Sequence, residues 1–222
     1  MHWQIENDDS SQVVVPENVV DMQFNIDCKT LPVDHAHSLS AAIQQALPWF
    51  AEDETATLHL IHGAETGNGW ERPEDSGDII YLARRTKLVL RVSGERVDDT
   101  IALTGQTLDV AGNTIIVGEA IKRSLSITTS LYSRHVVVEP GEDEEVFLQR
   151  IITEMRDMGL QFKKVLCGKE HALQLPEGEL VTRSMLVADI GFDDSIRLQE
   201  RGVGAKMHKK LGCGLFIAHK TV

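Results

Sequence analysis

The feature that most constrains this chain is the repetition of one order of elements. Val19 to Cys28 alternates apolar and polar residues, the period-two pattern of a half-buried strand. A helix follows, with Asp34 as its expected N-cap and Leu39, Ile43, Ala46 and Leu47 recurring at helical spacing; Pro48 ends or bends its last turn. Thr55 to His62 is a second alternating strand, Ile79 to Leu82 and Thr86 to Val92 supply a third, and a short helix runs from Glu95 to Leu103. A hairpin around Asp109 to Val117 completes the half. From Tyr132 the order β-α-β-β-α-β recurs with clearer signals. Tyr132 to Val138 is a strand, and the acidic Pro140 to Glu145 turn opens a helix whose apolar face is Phe147, Leu148, Ile151, Ile152 and Met155 and whose C-cap is Gly159. Phe162 to Leu173 and Leu180 to Ile190 form a hairpin, Asp193-Asp194-Ser195 caps a short helix through Leu198, and Leu215 to His219 is the final strand. Two such units predict an α+β protein of two tandem ferredoxin-like (βαββαβ, RRM-like) domains, residues 19–127 and 128–222, behind a polar lead-in over 1–18. That fold leaves the function open.

Charge narrows the function. The formal net charge of −12 argues against indiscriminate binding of a polyanion. Its distribution is more informative: from Arg201 to Val222 there are five Lys or Arg and no acid, and Arg84, Arg85, Lys87 and Arg91 form a second basic patch. Any nucleic acid would therefore be held locally. The chain lacks both a run of about 18 apolar residues and an N-terminal signal pattern, and Cys28, Cys167 and Cys213 are widely spaced. A cytoplasmic protein with reduced thiols is expected.

The C-terminal bases sit in a glycine-rich loop. Gly202, Gly204, Gly212 and Gly214 form two Gly-x-Gly pairs that bracket Lys206, His208, Lys209 and Lys210. A loop of this kind can hold a phosphate, its N–H and ammonium groups facing one ligand, or it can be a tight turn with solvated lysines. It lacks the spacing of a nucleotide P-loop, and it follows a helix where a dinucleotide fingerprint follows a strand. Among the histidines, His35 lies at an expected helix N-terminus, where an imidazole titrating near neutral pH is either a proton-transfer group or a surface or capping residue. His35 and His37 with Asp34 do not complete a metal site, because positions i and i+2 diverge on a helix, so neither metal nor cofactor is expected. Cys213, between two glycines, reads as a small buried side chain rather than a nucleophile. An aromatic share of 5% gives no signal of an RNP-type stacking sheet.

Several stretches, in order, resemble a known family. Leu31-Pro-Val-Asp-His-Ala36, Gly67-Asn-Gly-Trp70, Arg84-Arg-Thr-Lys-Leu-Val-Leu-Arg91, Gly105-Gln-Thr-Leu-Asp-Val110, Ser195-Ile-Arg-Leu-Gln-Glu200 and Lys210-Leu-Gly-Cys-Gly-Leu-Phe216 are similar to the Cas-six endoribonucleases of the Myxococcus-type (MYXAN) CRISPR subtype. The glycine-rich loop and the tandem fold resemble the wider RAMP superfamily. The resemblance runs from about residue 20 to the end. It implies metal-independent, cofactor-free cleavage of precursor crRNA within each repeat. The ribose 2′-hydroxyl attacks the neighbouring phosphate, a 2′,3′-cyclic phosphate forms, and the 5′-oxygen leaves with a proton. On this resemblance His35 is the match for the catalytic histidine and His37 the reserve. Arg84, Arg85, Lys206, His208, Lys209 and Lys210 would hold the RNA backbone across the cleft between the two domains. Repeat RNA and subunits of a class 1 CRISPR effector complex are the implied partners. The alternatives are a non-catalytic RAMP-type crRNA-binding subunit and an acidic scaffold that binds no nucleic acid.

Overall fold

The computed structural model describes residues 15–63 and 79–219. The lead-in up to residue 14 and the Gly67 to Trp70 stretch lie outside the described residues. The chain is a mixed α/β protein built on antiparallel sheets. The first half holds β1 (Val19–Asp27), β2 (Thr30–Pro32), α1 (Ala36–Ala46), β3 (Thr57–His59), β4 (Ile79–Tyr81), β5 (Lys87–Ser93), α2 (Val97–Ile101), β6 (Thr107–Val110) and β7 (Asn113–Ser124). Five of its strands form one sheet in the order β3-β5-β1-β7-β6. β1 lies at the centre because its alternating Val20, Met22 and Phe24 must all be covered; Leu39 and Ile43 of α1, with Phe50, Leu58, Leu88 and Leu90, complete that core.

The second half holds β8 (Ser130–Val137), α3 (Glu144–Asp157), β9 (Phe162–Leu175), β10 (Gly178–Ile190), α4 (Phe192–Arg201), α5 (Lys206–Lys209) and β11 (Ile217–Ala218), with a sheet in the order β11-β8-β10-β9. Asp143 caps α3 by accepting from the Val146 N–H at 2.9 Å, and Glu144 and Glu145 complement the positive end of the helix. Phe147, Ile151 and Met155 of α3 pack on Leu131, Met185, Val187 and Phe216.

Three local expectations change. His35, not Asp34, is the N-cap of α1, and no side chain caps that helix. Asp34 Oδ1 instead accepts the Gln174 N–H of β9 at 3.2 Å, so it joins the two halves. α4 begins after Gly191 and runs to Arg201, while Asp194 accepts the Gln161 N–H at 2.8 Å in place of a cap within its own helix. The predicted third strand divides in two: β4 leaves the main sheet and pairs with β2, Thr30 opposite Tyr81 and Pro32 opposite Ile79.

Buried polar contacts cross the junction of the halves. Arg91 of β5 is 2% exposed, grips both oxygens of Asp21 at 2.8 and 3.0 Å, and donates to the carbonyls of Gln199 and Phe216 at 2.8 Å. Leu60 packs with Val137, Leu173 and Cys213 in a small cluster of its own.

Candidate active site and nucleic-acid interface

β2 delivers the chain to the first turn of α1, and that turn sets the orientation of His35. Its Nδ1 lies 2.8 Å from the Pro32 carbonyl oxygen. A carbonyl only accepts, so Nδ1 carries the hydrogen and, on the neutral ring, the lone pair sits on Nε2. The ring is 3% exposed. His37, two residues on, is exposed. Around His62 the fold gathers side chains that no local pattern connects, His35 among them. Burial lowers the His62 pKa well below the ordinary value, and Arg134, His135, His35 and His59 push the same way. His135 donates from Nδ1 to Thr182 Oγ1 at 3.0 Å, that hydroxyl donates to the His171 carbonyl at 3.1 Å, and the His135 and His171 rings meet edge to face at 6.1 Å. Arg134 lies over the ring of Tyr132 at 5.8 Å. Among the described residues, no group of three or more His, Cys, Asp and Glu side chains is placed to hold a metal ion.

The glycine-rich loop binds to the protein itself. The N–H groups of Gly202, Val203, Gly204, Gly212, Cys213 and Gly214 donate respectively to the carbonyls of Leu198 and Gly214, Glu154 Oε1, and the carbonyls of Lys209, His208 and His135. Gly214, at φ +70°, lies so close to the Val203 carbonyl that no Cβ fits. Gly212, at φ +80°, would place a Cβ 2.7 Å from Leu60 Cγ and 3.1 Å from the Leu58 oxygen, so it lets the loop rest on the first half. The lysines turn the same way. Lys206 pairs with Glu54 at 3.1 Å, and Lys209 donates to the Arg201 carbonyl at 2.6 Å. His208 is half-buried, and burial lowers its pKa. Burial pushes the Cys213 thiol up to about 12, as suits an inert core residue.

Lys210 is 4% exposed; its ammonium donates to the Asp53 carbonyl at 2.6 Å and to that of Ala56, over the Phe50 ring at 4.7 Å. Replacing Lys210 by Met should leave two carbonyls without their donor and lower stability by about 1–3 kcal/mol in urea unfolding. Burial pushes its pKa down to about 8 from 10.5. Between those values the unfolded chain binds more protons, so this residue's contribution to stability rises with pH across the window. The rise should vanish in the Met variant; a rise of equal size in both proteins would refute the assignment.

Arg84 and Arg85 differ from the loop lysines. They occupy the exposed turn between β4 and β5, closed by the Thr86 N–H to Ala83 carbonyl bond at 2.9 Å, and form no ion pair with any described residue. Of the expected RNA contacts, the structure thus places these two on the surface beside the β2–β4 ribbon, and the loop lysines at the junction.

Comparison with known proteins decides the family. The family model described as Cas6 Crispr matches residues 20–221. The chain belongs to the Cas6 family. It is 25% identical over 198 residues to the CRISPR-associated endonuclease Cas6 of Myxococcus xanthus (strain DK1622), covering 89% of this chain and 80% of that protein. A solved CRISPR associated protein Cas6 superposes with a TM-score of 0.62 at 13% identity, covering 91% of this chain and 100% of that one. A Cas6-related protein from Pyrococcus furiosus gives 0.59 at 15% identity, covering 91% and 100%. The endoribonuclease Cse3 bound to a 19-nucleotide RNA gives 0.53 at 11% identity, covering 89% and 96%. These likenesses establish the shared fold. In this Cas6-family chain the residues that sequence reasoning passed over are Arg134 and His135. Their only local signal is the polar run Ser133-Arg134-His135 between Leu131-Tyr132 and Val136-Val137-Val138.

Proposed function

We propose that this chain is a CRISPR repeat endoribonuclease that cleaves precursor crRNA in the cytoplasm without a metal ion, with His35 as the proton-transfer group. One observation carries the assignment: the Pro32 carbonyl holds Nδ1–H, so Nε2 is left as a proton acceptor of fixed direction. The 2′-hydroxyl loses its proton to Nε2 and attacks phosphorus, the bond to the 5′-oxygen breaks, and that oxygen takes up a proton as the 2′,3′-cyclic phosphate is released. The relative from Myxococcus xanthus, named an endonuclease, supports the activity. Residues 19–127 and 128–222 are read as tandem ferredoxin-like domains. The strand orders β7-β1-β5-β3 and β11-β8-β10-β9, which seat corresponding strands in corresponding places, support that division.

In this reading Arg84 and Arg85 hold RNA phosphates, while Lys206 and Lys210 of the glycine-rich loop bind the first half at Glu54, Asp53 and Ala56. His35 is almost wholly covered, so the substrate must displace part of its surroundings to reach it; the Gln174 N–H to Asp34 bond lies one residue away. That same burial favours the second reading, a non-catalytic crRNA-binding subunit. The net charge of −12 suggests that other subunits of a class 1 effector complex share the RNA. Incubating the purified protein with its repeat RNA in EDTA tests the proposal. A product ending in a cyclic phosphate is expected; binding without cleavage selects the second reading, and no binding at low salt removes both.

A further inference from the structure

We propose that Tyr81 is a stacking platform for an unpaired RNA base, set in a cationic track of Lys29, Arg84 and Arg85, and that it receives the strand beside His35. The inference rests on the RNA-cleaving function proposed above. Tyr81 is 76% exposed, an uncommon position for a ring of its size. Strand alternation puts Ile79, 54% exposed, on the same outward face, while Ile80 between them is 4% exposed and anchors the ribbon in the core. The ring is therefore displayed on a fixed support.

The support leads to the histidine. Tyr81 lies opposite Thr30, and two pairs along, about 7 Å of strand, Ile79 lies opposite Pro32, whose carbonyl orients His35. The Leu82 N–H to Lys29 carbonyl bond at 2.9 Å ties the far end of the ribbon to the β1–β2 turn, and Lys29, like Arg84 and Arg85, is exposed. From Ile79 through Gly94 there is no acid, in a chain that is strongly acidic as a whole. Charge complementarity therefore selects an anionic occupant, and the exposed aromatic face selects one with flat apolar surfaces. Single-stranded RNA has both, and stacking tolerates any base because each has a π-face.

The test compares Tyr81→Ala, Tyr81→Trp and Arg84→Ala with the unsubstituted protein, measuring affinity for repeat RNA across a salt series. Tyr81→Ala should weaken binding about 5- to 150-fold, the range for losing one stacked base, with the salt slope unchanged because no charge is lost. Tyr81→Trp should bind at least as well as the unsubstituted protein. Arg84→Ala should flatten the slope by about 0.7. Fluorescence of a 2-aminopurine-substituted repeat should be quenched on binding and recover with Tyr81→Ala. If the unsubstituted protein binds RNA and Tyr81→Ala binds it equally well, the inference is wrong and the patch belongs to a protein partner. If the unsubstituted protein binds no RNA, the proposed function fails and takes this inference with it.

Discussion

His35→Ala should slow single-turnover cleavage of repeat RNA by about 10²- to 10⁴-fold, the usual contribution of a positioned acid–base group, while RNA affinity stays within a few-fold. His37→Ala should stay within a few-fold of the unsubstituted protein in both respects, because His37 is exposed and lacks the contact that orients His35. A loss confined to His35 could still be structural, since alanine deprives the Pro32 carbonyl of its donor at a covered position. His35→Asn separates the two effects. Its amide N–H₂ can take the place of Nδ1–H and keep the Pro32 bond, but nothing replaces Nε2. If Nε2 is the working atom, Asn should preserve the unfolding midpoint and be as inactive as Ala. Activity in the Asn variant would mean that the histidine matters through Pro32 alone, and the proton would then have to go to another group of the cluster that includes His62 and His135.

The element order was readable because each half carries strong local periodicity. β1 alternates over nine residues and α3 repeats its apolar face over fourteen, so each is specified by its own segment. The β2–β4 ribbon was not readable: its strands are three residues each, too short to show a period, and the pairing joins residues near 31 to residues near 80. Asp34 and Asp194 resemble caps in sequence because acids before a helix usually serve that role. Each is claimed instead by a distant backbone N–H, that of Gln174 or Gln161. The same limit applies to the cations. Lys209 and Lys210 are chemically identical neighbours, and Arg91 belongs to the same basic run as Arg84. What separates them is the placement of acceptors from the other half of the molecule: Asp53 and Ala56 for Lys210, Gln199 and Phe216 for Arg91. His35 could be singled out by its place before a helix and by family resemblance. Arg134 and His135 are brought to His62, which also interacts with His35, only by the meeting of the two halves.

Arg91→Ala should be the most destabilising of the substitutions considered, costing about 3–5 kcal/mol, because it strands the Asp21 carboxylate and the Gln199 and Phe216 carbonyls in the interior. The pH dependence identifies the cause. Burial is the largest influence on Asp21 and raises its pKa, but the Arg91 guanidinium and His59 together outweigh it and hold the group well below its ordinary value of 3.8. A depressed carboxylate pKa contributes stability that is present above about pH 4 and is lost as the pH falls toward the folded-state value. Without Arg91 only His59 opposes the burial effect, so Asp21 titrates at a higher pH in the variant than in the unsubstituted protein, and acid costs the variant less. The gap in unfolding free energy should therefore be widest near pH 7 and narrow steadily toward pH 3. A gap constant over that range would show that Arg91 acts through packing rather than through its charge on Asp21. Since the guanidinium also spans β5, α4 and the chain just before β11, the urea transition of the variant should broaden or split as the halves cease to unfold together. The same loosening would disturb the Gln174 N–H to Asp34 tie next to His35, so cleavage by Arg91→Ala should fall even under conditions in which the variant remains folded.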